Sequence, residues 1–216
     1  MNIDILPLIS IIIAYLLGCV PTAYWLVKRK TGMDIRHEGT GNIGARNSYD
    51  VTGNKMLGIA VMLIDVAKGA LAVAIPIWLG GNFFAISLAG VFVVIGHCFN
   101  AFMSFKGGRG LATAAGVALM VNPLALILWV LMYFTAFVII RRDVHVGSVA
   151  GTLATPMLLY TAPTPLVQML MFVPNADITQ FKLMVFMISI IIFFRHIEPM
   201  RELFKKMAEE KEESEE

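Results

Sequence analysis

The stretch Leu111–Ile140, LATAAGVALMVNPLALILWVLMYFTAFVII, runs thirty residues without a charge. How often it crosses a membrane decides the fold. A spanning helix needs about 20 apolar residues, within a range of about 17–25, so this stretch is too long for one ordinary helix. Asn122-Pro123 interrupts it. Proline brings no amide hydrogen and restricts the residue before it, so a break is expected there. Leu111–Val121 alone covers only ~17 Å at ~1.5 Å per residue and needs shielding by neighbouring helices.

The flanking charges choose between one crossing and two. The other candidate spans are Ile3–Val27, Met56–Gly80, Phe83–Phe102, Val146–Ala162 and Phe181–Phe194. With two crossings in Leu111–Ile140 the total is seven. Lys28–Lys55, Lys106–Arg109, Arg141–Arg142 and everything from Arg195 onward then share one face, and of the 17 Lys and Arg only Lys68 and Lys182 fall elsewhere. With one crossing, Arg141, Arg142 and the C-terminal residues move to the opposite face. Cytoplasmic loops carry the excess of Lys and Arg, which favours two. The expectation is an all-α integral membrane protein of the plasma membrane. It has seven transmembrane helices, its N-terminus outside and its C-terminus cytosolic.

Composition agrees. Hydrophobic residues make up 58% of the 216, charged residues 15%, and mean hydropathy is +0.77. A soluble domain carries about 25% charged residues, and disorder needs low hydrophobicity with high charge; both classes are excluded. The net charge of +2 names no nucleic-acid or other macromolecular partner beyond membrane lipids. Cys19 and Cys98 lie in apolar runs and read as buried free thiols. The basic cluster Lys28-Arg29-Lys30 follows the first apolar core, whose preceding flank holds Asp4. That order reads as a retained first span. Residues 1–208 are expected to form one polytopic domain and 209–216 an acidic, solvated tail.

Chemistry concentrates on the basic face. Thr31–Gly58, TGMDIRHEGTGNIGARNSYDVTGNKMLG, holds six glycines, three asparagines, Arg36 and Arg46. It is expected to bury no apolar surface of its own; its glycines let backbone amides converge on an anion. A flexible linker is the plain alternative, but linkers usually lack spaced Arg and Asn. Phe105-Lys106-Gly107-Gly108-Arg109-Gly110 runs directly into the small-residue helix from Leu111. Glycines and two cations at a helix N-terminus suit a phosphate. The spacing of a nucleotide-binding P-loop is missing. Asp65 and Lys68 stand three apart on one helix face and are expected to pair inside the bundle. His97 beside the glycine loop and His196 at the end of the last span are the candidates for a protein base, histidine being the side chain whose ordinary titration range suits that task. Cationic loops at the ends of apolar helices suit a substrate with an anionic head and a greasy tail. A lipid-precursor enzyme and an anion transporter both fit; the lack of repeat symmetry between the halves weakens the transporter.

These residues resemble the bacterial acyl-phosphate:glycerol-3-phosphate acyltransferase family. The resemblance runs from Gly18 to about Met200. It is carried by Asp34-Ile35-Arg36 with Gly39–Ala45, Leu63-Ile64-Asp65 with Lys68-Gly69, Gly96-His97, Phe105–Thr113, and Arg195-His196 with Glu198. It implies a seven-helix membrane fold and transfer of an acyl group from acyl phosphate to the 1-hydroxyl of sn-glycerol 3-phosphate. The products are lysophosphatidic acid and phosphate, with no metal or cofactor. Thr40 stands at the family's serine, and Asn42 and Asn47 match. Arg109 stands at the lysine of a glycine loop that binds glycerol phosphate; His196 and Glu198 match the terminal motif.

Residue chemistry and the resemblance together make Thr40, His97 and His196 the catalytic candidates. Arg36, Asn42, Arg46, Asn47, Lys106, Gly107, Gly108, Arg109 and Gly110 go to substrate binding, with Asp65, Lys68 and Glu198 in support. The departures are Asp50 where arginine is usual, Pro199 for asparagine, Ile197 for arginine and His145 for serine. A catalytically weakened paralogue with a binding or regulatory role is the alternative they raise.

Overall fold

A computed structural model of the chain describes residues 5–215. The Ile3 end of the first expected span, Asp4 and Glu216 lie outside the described residues. Every regular element among them is helical. The order is α1 (Leu6–Gly18), α2 (Thr22–Thr31), α3 (Ala45–Thr52), α4 (Lys55–Trp78), α5 (Phe83–Cys98), α6 (Leu111–Val121), α7 (Pro123–Ile139), α8 (Val144–Thr161), α9 (Thr164–Met169) and α10 (Ile178–Glu215). Among the described residues, four segments are long and apolar enough to cross a membrane: Leu6–Thr31, Lys55–Trp78, Phe83–Met103 and Ile178–Glu213. Exposed Ile12, Leu63, Leu71, Phe134, Ile139 and Leu183 give the bundle an apolar outer surface, as a lipid-facing protein requires.

The break expected in Leu111–Ile140 falls at Asn122-Pro123. Asn122 is fully buried; its Oδ1 accepts from Leu124 N at 3.0 Å, and its Nδ2 donates to Val167 O at 2.8 Å. Pro123 takes the first helical position, where its missing amide costs nothing. A second break was not expected: the first span is interrupted between Gly18 and Thr22, because Pro21 supplies no amide to continue the helix. The acidic tail continues α10 through Glu215.

Two helix crossings are made by reciprocal glycines. A Cβ at Gly18 would strike Val93 O, and one at Gly96 would strike Tyr15 O, so α1 and α5 touch backbone to backbone. Gly69 against Thr113 O and Gly116 against Val66 O bring α4 and α6 together in the same way. Such close approach is how helices associate when lipid supplies no hydrophobic drive between them. Ala14, Val73, Val93, Val117, Phe181 and Ile188 fill the core between α1, α4, α5, α6 and α10.

A smaller cluster corrects the reading of Thr31–Gly58 as a loop that buries nothing. Ile35 and Ile43 are buried with Ala23, Val27, Leu57, Val61 and Met103, pinning the segment to α2 and α4. At the same end of the bundle, Arg141 after α7 lies 3.6 Å from Glu210 of α10. Arg109 before α6 lies 3.5 Å from His145 of α8.

Candidate active site

Two cavities flank the start of α6, one lined by Arg109 and the other by Leu111. The first, open and polar with a volume of about 540 Å³, is lined by Gly39, Thr40, Gly41, Asn42, Lys106, Gly107, Arg109, Phe194, Arg195, Glu198, Pro199 and Glu202. The second, a narrow apolar cleft of about 100 Å³, runs between α6, α7, α8 and α10 past Leu111, Ala118, Trp129, Val185 and Ile192.

The glycine loop is gripped from two sides. Gly108 N donates to His97 O at 3.1 Å, and the His97 imidazole leaves no room for a side chain on Gly108. Opposite, Arg195 donates to Gly107 O at 2.8 Å and to Gly108 O at 3.1 Å. Gly110 has φ +84° as the N-cap of α6, a backbone region that glycine enters without penalty. No side chain caps α6, so its first-turn amides keep their hydrogens for an outside acceptor. Burial, together with nearby Arg195 and Arg46, pulls the Arg109 guanidinium below its ordinary range, with Glu202 opposing. Cations gathered beside a helix N-terminus form a site that favours an anion.

The other loop uses its polar groups on itself. Asn47 is buried; its Nδ2 donates to Glu38 O and Asn42 O at 3.0 Å each, and its Oδ1 accepts from Thr40 N at 2.9 Å. Its amide therefore shapes the turn that presents Thr40 and Asn42 to the polar cavity. Arg36 holds Asp34 through Nε at 2.9 Å, with Tyr24 beneath it, ring centroid at 5.2 Å. That contact keeps the Asp34 carboxyl well below the usual carboxylate range and raises the guanidinium. Arg46 is paired with Asp50 at 2.9 Å on α3. Neither Arg36 nor Arg46 lines the polar cavity.

The two candidate histidines differ in setting. His196 is buried; its Nδ1 lies 2.8 Å from Ile192 O and therefore carries the proton, which leaves Nε2 as the acceptor nitrogen. His145 sits between it and Arg109, its ring centroid 6.2 Å from that of His196. His97 is enclosed: Nδ1 lies 3.9 Å from Asp65, and Nε2 faces the Gly108 backbone. Asp65 in turn pairs with Lys68 at 2.8 Å, both side chains buried. Glu198 lines the polar cavity and reaches Arg201 at 3.4 Å.

Sequence reasoning missed Arg195 as the holder of the glycine loop, since a helix-end arginine ordinarily anchors to the interface. It took His145 only as a departure from a usual serine and left out Glu202, for which the chain offers no local signal; both join the site only through folding.

A family model described as glycerol-3-phosphate acyltransferase matches residues 8–206. The Moorella thermoacetica protein named glycerol-3-phosphate acyltransferase 2 is 40% identical over 152 residues, 70% of this chain and 77% of its own. A Streptococcus thermophilus glycerol-3-phosphate acyltransferase is 35% identical over 191 residues, 88% and 86% of the two chains. Among solved structures, PlsY (YgiH), an integral membrane glycerol 3-phosphate acyltransferase in its glycerol 3-phosphate form, superimposes with TM-score 0.75 at 30% identity. That match covers 93% of this chain and 92% of the other. Its lysophosphatidic acid form gives TM-score 0.74 at 28% identity. By family model and by relatives alike, the chain belongs to the glycerol-3-phosphate acyltransferase family.

Proposed function

We propose that the chain transfers a fatty acyl group from acyl phosphate to the 1-hydroxyl of sn-glycerol 3-phosphate, releasing lysophosphatidic acid and phosphate. One observation carries the reading. The uncapped start of α6, with Lys106 and Arg109, opens on a polar cavity, and Leu111, two residues on, lines an apolar one. An anionic head and an acyl chain need this pairing. The matching names of the relatives supply the acceptor.

In this reading the glycine loop and Arg109 hold the phosphate of glycerol 3-phosphate. Thr40 and Asn42 face the acyl phosphate across the polar cavity, and its acyl chain lies in the apolar one. The 1-hydroxyl oxygen attacks the acyl carbon, the bond from that carbon to the phosphate oxygen breaks, and phosphate leaves with the electron pair. The hydroxyl proton passes to a substrate phosphate oxygen, since buried His196 lines neither cavity. Acyl phosphate carries a good leaving group already, so positioning and stabilisation of the oxyanion supply much of the rate.

The test is phosphate release by purified protein given palmitoyl phosphate and glycerol 3-phosphate. Turnover is expected with that donor; turnover only with acyl-coenzyme A overturns the donor assignment.

The same reading has seven crossings, the N-terminus outside, and the site at the cytosolic interface of the plasma membrane. The contacts of Arg141 with Glu210 and Arg109 with His145 support it. They keep the α7–α8 connection at the end of the bundle where the glycine loop and the α10 extension lie. Cysteines at Ser104 and in the α10 extension should react only with reagents admitted to the cytosol, and one at Asn82 from outside. Outside labelling at Arg142 defeats the arrangement.

A further inference from the structure

A buried ion pair lies below the site and belongs to neither cavity. Lys68 Nζ donates to Val20 O at 2.8 Å and lies 2.8 Å from Asp65 Oδ1. Val20 stands in the break between α1 and α2, and α2 leads into the Thr31–Gly58 loop. On the other side Asp65 faces His97 Nδ1 at 3.9 Å. The His97 ring lies against Gly108, and the His97 carbonyl accepts the Gly108 amide. Asn100 adds a second tie, donating to Cys19 O at 2.7 Å. One run of contacts therefore joins the root of one loop to the backbone of the other. His97 does not line the polar cavity, so it touches the loop and not the substrate.

We propose that the Asp65–Lys68 pair, acting through His97, is a positioning device that fixes the glycine loop relative to the α1–α2 break. It thereby sets the distance between the two loops that face the substrates. Packing alone does not call for charges here, since an apolar pair of similar volume packs as well or better inside a protein. An ion pair with a directed hydrogen bond to an unwound carbonyl does what an apolar pair cannot: it selects one register among several of similar packing. The inference rests on the glycine loop holding the phosphate of glycerol 3-phosphate.

The experiment compares Asp65→Asn/Lys68→Met, His97→Gln, Lys68→Arg and Arg109→Ala in detergent-purified enzyme, varying each substrate separately. The double variant removes both charges at once, so no lone charge remains buried. A loosened loop should raise the Michaelis constant for glycerol 3-phosphate about fivefold to thirtyfold, leaving kcat and the acyl-phosphate constant within about twofold. His97→Gln should give the same split, and Lys68→Arg, which keeps the pair and the bond to Val20, should restore nearly normal constants. A folded double variant with an unchanged glycerol 3-phosphate constant overturns the proposal. If the double variant does not fold, an unchanged constant in His97→Gln overturns it instead. An unchanged constant in Arg109→Ala sinks the loop assignment itself. A raised constant there beside an unchanged one in the double variant sinks the positioning role alone.

Discussion

The two loops that face the polar cavity handle their charges in opposite ways. In Thr31–Gly58, Arg36 is held by Asp34, Arg46 by Asp50, and Asn47 is saturated by loop backbone. In the glycine loop the carbonyls are tied to Arg195, while Lys106 and Arg109 have no acidic partner within ion-pair distance among the described residues. The longer loop is a shaped wall, and the shorter one is where unneutralised charge waits. Counting cations along a chain therefore overstates a site; what matters is which cations the fold leaves without an internal anion.

The comparison makes Arg109→Ala the most damaging change. Losing a charge-assisted hydrogen bond costs roughly 1.5–3 kcal/mol, about tenfold to a hundredfold in the Michaelis constant for glycerol 3-phosphate. Gly108→Ala should match it, because the added methyl meets the His97 ring. Steady-state kinetics with each substrate varied in turn checks both. A rise confined to the acyl-phosphate constant would exchange the two phosphate assignments.

Arg36→Ala and Arg46→Ala should each change either constant by less than about fivefold, the range of an exposed ion pair. A hundredfold loss from Arg36→Ala would mean that Asp34 gives it up when substrate binds, and the contrast between the loops would fail.

The smallest effect concerns acid. Arg36 holds the Asp34 carboxyl below its ordinary range. The stabilisation from that pair is full above the unfolded carboxylate pKa of about 3.9 and is lost only as pH falls through the lower folded value. Between pH 7 and pH 5 the difference in melting temperature between wild type and Asp34→Asn should stay constant. Below about pH 4 the difference should narrow; one that stays flat from pH 4 down to pH 2 would show that folding leaves the Asp34 carboxyl unshifted.

Much of this was legible in the chain. The helical class followed from uncharged runs, and the break at Asn122-Pro123 followed from the length of Leu111–Ile140 and the chemistry of proline. The glycine loop was legible because glycines, cations and a helix start are contiguous. The kink at Pro21 was passed over because the surrounding run is apolar enough to read as one span. Ile35 and Ile43 were overlooked as anchors, since two isolated isoleucines in a polar loop make no periodic pattern. Arg195 and His145 were illegible as loop partners because their contacts bridge 87 and 36 residues; only packing of α8 and α10 against α6 creates them.

The single helix Ile178–Glu215 has a mechanical consequence. At ~1.5 Å per residue its 38 residues make a rod of about 57 Å, while the hydrocarbon core is about 30 Å thick. Arg195, His196 and Glu198 sit near its middle. Pro199 withholds the amide that would otherwise meet the Arg195 carbonyl one turn back. The rod therefore has its softest joint beside the arginine that grips the glycine loop. The outer arm, from Met200 to Glu215, is a lever with its fulcrum at the site and a tether at Glu210, so a sideways load on it is shared between Arg141 and the arginine that grips Gly107 and Gly108.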